Sequence, residues 1–235
     1  MDRPNNTLLR ALAPEDYDRL KPHLRTDELK LGDLLYAPED RVERVTFLET
    51  GLLSIVFSSL AGQSVETSMI GREGASGLLE ACGSGLSYLT VLVQVEGRGV
   101  SVPASAIRDL SDRSAAFRDL LHRYGEAMLA EARQSVVCQA LHPVEQRCAR
   151  WLIESADRSG CDSRLPLTQE YLAAMLGVQR TTVTPIAAML QRRGLIRYSR
   201  GRIDILDAEG LDRAACECRP NVKAHRGRLR LDAPS

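Results

Sequence analysis

Short apolar runs alternate with glycines through residues 29–107. Val45–Leu48, Leu52–Phe57, Val65–Ile70, Leu89–Val95 and Gly99–Val102 are rich in Val, Ile, Leu, Phe and Thr, and Gly32, Gly51, Gly62, Gly71, Gly74 and Gly97 punctuate them. Many short strands with turns between them predict an all-β sandwich or barrel. Ala61-Gly62-Gln63, between two such runs, predicts a hairpin tip. The rhythm then changes. From Ser114 to Leu141 there is no proline and one glycine, and Phe117, Leu121, Tyr124, Met128, Ala132, Val136 and Leu141 fall near helical spacing. Phe117, Leu121, Tyr124 and Met128 keep the 4-3-4 rhythm of an a/d seam, although a helix of this length can also simply cover the β-structure. His142-Pro143 ends it, because proline disfavours helical geometry in the residue before it.

The third pattern is the most specific. Thr168 to Arg202 reads TQEYLAAMLGVQRTTVTPIAAMLQRRGLIRYSRGR. Leu172, Ala173, Leu176, Val178, Val183, Ile186, Ala187, Leu190, Leu195 and Ile196 recur mostly at three and four residues, which gives two short helices with one buried face each. Gly177 stands where the first helix must end, in a left-handed position that costs glycine least. Arg180, Thr181, Thr182 and Thr184 then open the second helix, and a basic hairpin follows. In a helix-turn-helix the second helix enters the DNA major groove with its N-terminal residues on the base edges. Arginine is the best single reader there, pairing with guanine O6 and N7. The segment is expected to bind double-stranded DNA.

The 235 residues allow two domains. Net charge is zero, but from His142 onward there are 16 Lys or Arg against 11 Asp or Glu, and before it 15 against 20. That asymmetry suits a DNA-facing module joined to one that is not. No run of about 18 apolar residues exists to span a membrane, and MDRPNNTLLR lacks the apolar core of a secretory signal. A cytoplasmic protein is expected. Cys82, Cys138, Cys148, Cys161, Cys216 and Cys218 form no C-x-x-C pair. Cys216 and Cys218 flank Glu217 at a spacing that can chelate metal, but no histidine stands near them in sequence, so no metal site is expected. His23, His122, His142 and His225 are scattered, and no nucleophile motif appears, so no enzyme is expected. The competing class is a signalling subunit that binds a small ligand and a protein partner without DNA.

The motif residues also carry a family resemblance. LTQEYLAAMLGVQRTTV and LQRRGLIRYSRGRIDILD, with HPVEQRCARWLIESAD before them, resemble the winged helix-turn-helix of the Crp/Fnr family of bacterial transcription regulators. LKLGDLLYAPED, VTFLETGLLSIV and MIGREGASGLL resemble that family's cyclic-nucleotide-binding-type β-roll. The resemblance implies an α+β chain in four parts. These are an effector-sensing β-roll (1–113), a long dimerisation helix (114–141), a winged helix-turn-helix (142–218) and a basic tail expected to be disordered (219–235). It implies that Arg180, with Thr181, Thr182 and Thr184, reads bases, that Thr168 and Gln169 touch phosphate, and that Arg200 and Arg202 place the wing on the backbone. It further implies a homodimer on a palindromic operator through Phe117, Leu121, Tyr124 and Met128, with RNA polymerase as a further partner. Two departures stand out: Thr181 replaces an acidic base-reading residue common in the family, and Pro185 lies inside the reading helix.

Sensor chemistry in this family leaves marks. Cyclic-nucleotide binders carry a Gly-Glu pair shortly before an Arg that neutralises the phosphate, as a buried phosphodiester requires. Here the stretch reads ASGLLEACGSGLSYLTVLVQV, with no Lys or Arg between Arg72 and Arg98, so cAMP and cGMP are not expected. Oxygen sensors hold an iron–sulfur cluster on N-terminal cysteines, and no cysteine precedes Cys82. Haem would draw on Cys82 or His122 and is not expected either. The effector is an unidentified small molecule, or there is none.

Overall fold

The computed structural model describes residues 3–60, 64–160, 164–199 and 201–228. The expected hairpin tip at Ala61-Gly62-Gln63 lies outside them, as do Cys161 and Arg200. Eight strands build the front half: β1 (Arg25–Leu29), β2 (Leu34–Tyr36), β3 (Arg44–Leu48), β4 (Leu52–Ser58), β5 (Ser64–Ile70), β6 (Ala75–Ser76), β7 (Thr90–Val95) and β8 (Gly97–Pro103). They form two antiparallel four-stranded sheets, in the orders β1-β8-β3-β6 and β2-β7-β4-β5. Helices α1 (Thr7–Ala11), α2 (Pro14–Leu20), α3 (Leu78–Cys82) and α4 (Ala104–Arg113) close the roll.

The second sheet explains why its strands are almost continuously apolar. On β4, Leu53 and Ile55 point into the roll, whereas Leu52 and Val56 join the core of the C-terminal half. β7 divides likewise, with Val91 and Val93 inward and Leu92 and Val95 outward. A sheet covered on both faces reads as an apolar run rather than as an alternation.

The long helix α5 (Ala115–Leu141) starts at Ser114, whose hydroxyl accepts from the Phe117 amide at 3.0 Å and donates to Asp16 at 2.6 Å. Of its four expected seam residues, two are buried and two half-buried. Phe117 and Tyr124 are buried in the roll core, and Leu121 and Met128 pack against it. The Tyr124 hydroxyl donates to the Ala75 carbonyl at 3.0 Å and accepts from the Ala75 amide at 3.1 Å, which fixes that face on β6. Phe117 and Tyr124 are therefore corrected from dimer contacts to core residues of the roll, while Leu121 and Met128 stand half-buried at its edge. A second stripe, His122, Glu126, Leu129, Arg133, Val136 and Ala140, is exposed on the same helix, with Leu129 49% and Val136 69% accessible. Both stripes share one rhythm, and the aromatic one is the one that fills the core.

The C-terminal half holds α6 (Val144–Ser159), α7 (Gln169–Leu176), α8 (Arg180–Arg192), α9 (Ala208–Ala214) and α10 (Cys218–Arg228). A small sheet of β9 (Arg164–Leu165), β10 (Ile196–Ser199) and β11 (Arg202–Ile205) runs in the order β10-β11-β9. The tail expected to be disordered from Arg219 is helical to Arg228, a second correction. Val222 is buried there, and Arg219 pairs with Asp157 of α6 and Asp212 of α9, so the helix gains both apolar and charged anchors. A third correction concerns Cys216 and Cys218, which were expected to have no histidine neighbour. The end of α5 returns to them, and the side-chain ligand atoms of Cys138, His142, Cys216 and Cys218 all lie within 4.8 Å of one another.

The two halves share a buried polar joint. Arg158 of α6 donates to the Met69 carbonyl at 2.7 Å, to Glu131 of α5 at 2.9 Å, and lies 3.6 Å from Glu73. Glu66 of β5 accepts from Trp151 Nε1 at 2.6 Å and from Ser54, whose hydroxyl also receives the Tyr171 hydroxyl at 3.3 Å. Burial pushes the Glu66 carboxyl up to about 8, against the two hydrogen bonds it accepts, so its charge is held in the joint less readily than an exposed glutamate's.

Candidate nucleic-acid interface

The reading face is built from helix ends. Thr168 caps α7, its hydroxyl accepting from the Tyr171 amide at 3.1 Å, as expected of a short hydroxyl residue before an apolar-periodic run. Gly177 ends α7 at φ 64° and closes it through amide bonds back to Ala173 and Ala174. A Cβ at Gly177 would stand 3.2 Å from Val65 of the roll, so the tight turn also lets α7 approach β5 closely.

Helix α8 begins at Arg180 without a side-chain cap on its first turn, which leaves amide donors facing outward. Val183, Ile186, Ala187 and Leu190 bury its inner face. Arg180, Thr181 and Thr184 are exposed and Thr182 is half-buried, so the arginine–threonine run forms one free edge. Thr184 Oγ1 donates to Gln169 Oε1 at 2.9 Å and ties the two helices of the motif together at that edge. Pro185 is exposed within a helix that continues unbroken to Arg192. It removes only the amide that would bond the Thr181 carbonyl, and that carbonyl lies in the solvent-facing first turn.

The hairpin β10–β11 is joined to α8 by the Tyr198 amide, which donates to Gln191 Oε1 at 2.9 Å. Arg202 is exposed at its start, 3.3 Å from Asp204. Arg200 lies outside the described residues. The fold thus gathers Thr168, Gln169, Arg180, Thr181, Thr182 and Thr184 at one corner, and Gly201 of the hairpin sits beside Thr168, where an added Cβ would be 3.5 Å from its Cγ2. Sequence reasoning missed Arg164. It lies on β9 with its side chain 75% exposed, 3.9 Å from the same Asp204. A two-residue strand carries no periodicity, so only the pairing of Arg164 with Asp204 and of Leu165 with Ile203 reveals its place on the wing.

Comparison with known proteins agrees with this geometry. Residues 146–214 match the Crp-like helix-turn-helix domain. A CRP-like cAMP-activated global transcriptional regulator of Mycobacterium tuberculosis is 24% identical over 215 residues, covering 88% of this chain and 96% of that protein. Among solved structures, a Crp/Fnr-family protein from Eubacterium rectale superposes with a TM-score of 0.71 at 20% identity, covering 88% of this chain and 96% of the other. FixK2 from Bradyrhizobium japonicum gives 0.69 at 14% identity, covering 82% and 98%. A CRP-family transcriptional regulator from Thermus thermophilus gives 0.66 at 19% identity, covering 80% and 96%. No helix among the described residues is long and apolar enough to cross a membrane. Residues 146–214 thus form a Crp-like helix-turn-helix domain, and the chain as a whole shares the fold of solved Crp/Fnr-family transcription regulators.

Proposed function

We propose that the protein works in the cytoplasm as a homodimer that reads a palindromic operator, each subunit placing Arg180 on a base edge. The observation that carries this reading is the free Arg180–Thr184 edge at the start of α8, with Thr168 and Gln169 beside it for phosphate. Arg202 and Arg164 on the hairpin side, with Arg200 two residues before Arg202 in sequence, supply cations for the flanking backbone. The exposed stripe through Leu129 and Val136 is the dimer surface, because two apolar residues one heptad apart on a long helix suit a two-fold seam. A two-fold protein places its reading helices one DNA turn apart. RNA polymerase is the further partner proposed for such a regulator. Genomic DNA captured by the purified protein and sequenced is expected to yield a two-fold symmetric motif. Arg180→Ala is expected to weaken the selected site by about 1–3 kcal/mol and to relax base choice at one position per half-site. Unchanged binding and base preference in that variant would assign reading to other residues.

We propose also that the roll has lost cyclic-nucleotide binding. The stretch that would hold the phosphate forms β6 and α3 and offers no Lys or Arg between Arg72 and Arg98. The M. tuberculosis relative is cAMP-activated by name, so the comparison is direct. Calorimetric titration of this protein with cAMP or cGMP is expected to show no binding at micromolar ligand. A dissociation constant near 1 μM, roughly −8 kcal/mol, would show that another group neutralises the phosphate. Any effector or partner would act by shifting the hinge at His142, which sets the position of the reading domain.

A further inference from the structure

The hinge itself carries unassigned chemistry. Cys138 and His142 stand four residues apart at the end of α5 and so share one face of its last turn. Cys216 lies in the short connection that leads from α9 into α10, and Cys218 opens α10. Cys138 Sγ is 3.5 Å from Cys216 Sγ, and Cys218 Sγ is 3.5 Å from His142 Nδ1. All three cysteines are buried, and the His142 side chain is 13% exposed. In a tetrahedral zinc site with Zn–S near 2.3 Å and Zn–N near 2.0 Å, neighbouring ligand atoms stand about 3.5–3.8 Å apart.

We propose that Cys138, His142, Cys216 and Cys218 form a tetrahedral site for one thiophilic divalent ion of the zinc type. Three sulfurs and one imidazole nitrogen are a known structural zinc set. The spacing leaves room for a single ion and none for a polynuclear cluster. The surroundings are those a metal site needs. His142 Nε2 lies 3.0 Å from Glu217 Oε1, so the carboxylate holds the ring with Nδ1 free to ligate. Gln134 Nε2 donates to Cys218 Sγ at 3.1 Å, a bond that strengthens when the sulfur is a thiolate. Arg147 and Arg150 of α6 carry the positive charge near the sulfurs; Arg150 also pairs with Glu154 at 2.9 Å, and the Nε atoms of both arginines are buried without a hydrogen-bond partner. Three thiolates and a divalent cation sum to one negative charge, which these guanidinium groups offset.

The ligands come from both sides of the hinge: two from the helix that carries the roll, two from the far end of the reading domain. Ligation therefore locks α10 and the reading domain to α5, and loss of the ion releases them. This inference rests on the cluster alone and stands or falls separately from the DNA reading.

The test uses the reduced full-length chain. Protein made in zinc-supplemented medium is expected to carry one zinc per chain by elemental mass spectrometry. The chelated chain titrated with cobalt(II) is expected to show thiolate-to-cobalt charge transfer and tetrahedral visible bands, saturating at one equivalent and displaced by zinc. Cys216→Ser and Cys218→Ser should abolish those bands, and Cys82→Ser should keep them. Glu217→Gln changes only an exposed residue and should weaken cobalt binding about 10- to 100-fold. Should the cysteine variants misfold, alkylation of the parent chain in urea mild enough to open the chelated cluster still decides: zinc should slow modification of Cys138, Cys216 and Cys218 and leave the rate at Cys82 unchanged. A reduced chain with no thiolate band and no zinc protection overturns the proposal, as does one that is metal-free and forms only a Cys138–Cys216 disulfide on oxidation.

Discussion

Replacing Leu129 and Val136 together by glutamate is expected to give a folded monomer that binds the operator about 10²- to 10⁴-fold more weakly than the parent. Both side chains face solvent in the single chain, 49% and 69% exposed, so the carboxylates cost the subunit fold little. In a dimer they would meet their two-fold copies on an apolar seam, where each unpaired carboxylate costs several kcal/mol. Dissociation is the cheaper outcome. One reading helix per DNA molecule then remains, and the advantage of two linked half-sites is lost. Light scattering and circular dichroism read the two properties separately. The contrasting variant is Phe117→Glu, which places a charge in the roll core and should lose folded structure instead. A soluble Leu129→Glu/Val136→Glu protein that stays dimeric and binds its palindrome as before would place the dimer contact elsewhere.

That pair of variants also marks where the sequence was readable and where it was not. Five strands of the roll (β3, β4, β5, β7 and β8) and the three elements of the reading motif were legible because each has a local cause: β-branched runs between glycines, a helical apolar period, a glycine at φ 64°. The short β1, β2 and β6 carry no such run. The face of α5 was not legible. Phe117-Leu121-Tyr124-Met128 and His122-Leu129-Val136 obey the same period, and only the Tyr124 hydroxyl bonded to Ala75 decides which one turns inward. Helix α10 escaped notice because its stability is not local. Arg219, written in a basic, proline-bearing stretch, becomes an anchor only when Asp157 and Asp212 arrive from two other helices. The cysteine cluster was hidden for the same reason, since its members lie far apart along the chain and meet only after α5 and α10 pack. At the reading corner, Arg180 and the threonines were visible as a run, whereas Arg164 was not, because its place depends on strand pairing across the wing.

The joint between the halves leads to the second large effect. Arg158 is the cation that three parts of the chain share: Glu131 from α5, Glu73 and the Met69 carbonyl from the roll. Its guanidinium is held above its usual pKa by Glu131 and Glu73, against the opposing effect of burial. Arg158→Met keeps most of the apolar stem but leaves the Glu131 carboxylate, whose side chain is 6% exposed, without its strong partner. Breaking a buried pair on one side costs about 3–5 kcal/mol, so urea unfolding of the variant should lose that much stability near neutral pH. A buried carboxyl that has lost its nearest cation takes up a proton more readily, so the loss should shrink as the pH falls. Removing the other charge as well, in Arg158→Met/Glu131→Leu, should restore most of the stability, because the stranded carboxylate is then gone. The restored protein would lack the polar link between α5 and α6 while keeping the apolar contact of Leu52, Val56 and Met69 with the reading domain. Its reading domain should therefore move more freely, seen as faster proteolysis at the His142-Pro143 hinge than in the parent. If Arg158→Met loses less than about 1 kcal/mol, a value typical of an exposed pair, the joint is held by its apolar surface alone and Arg158 does not set the position of the reading helix.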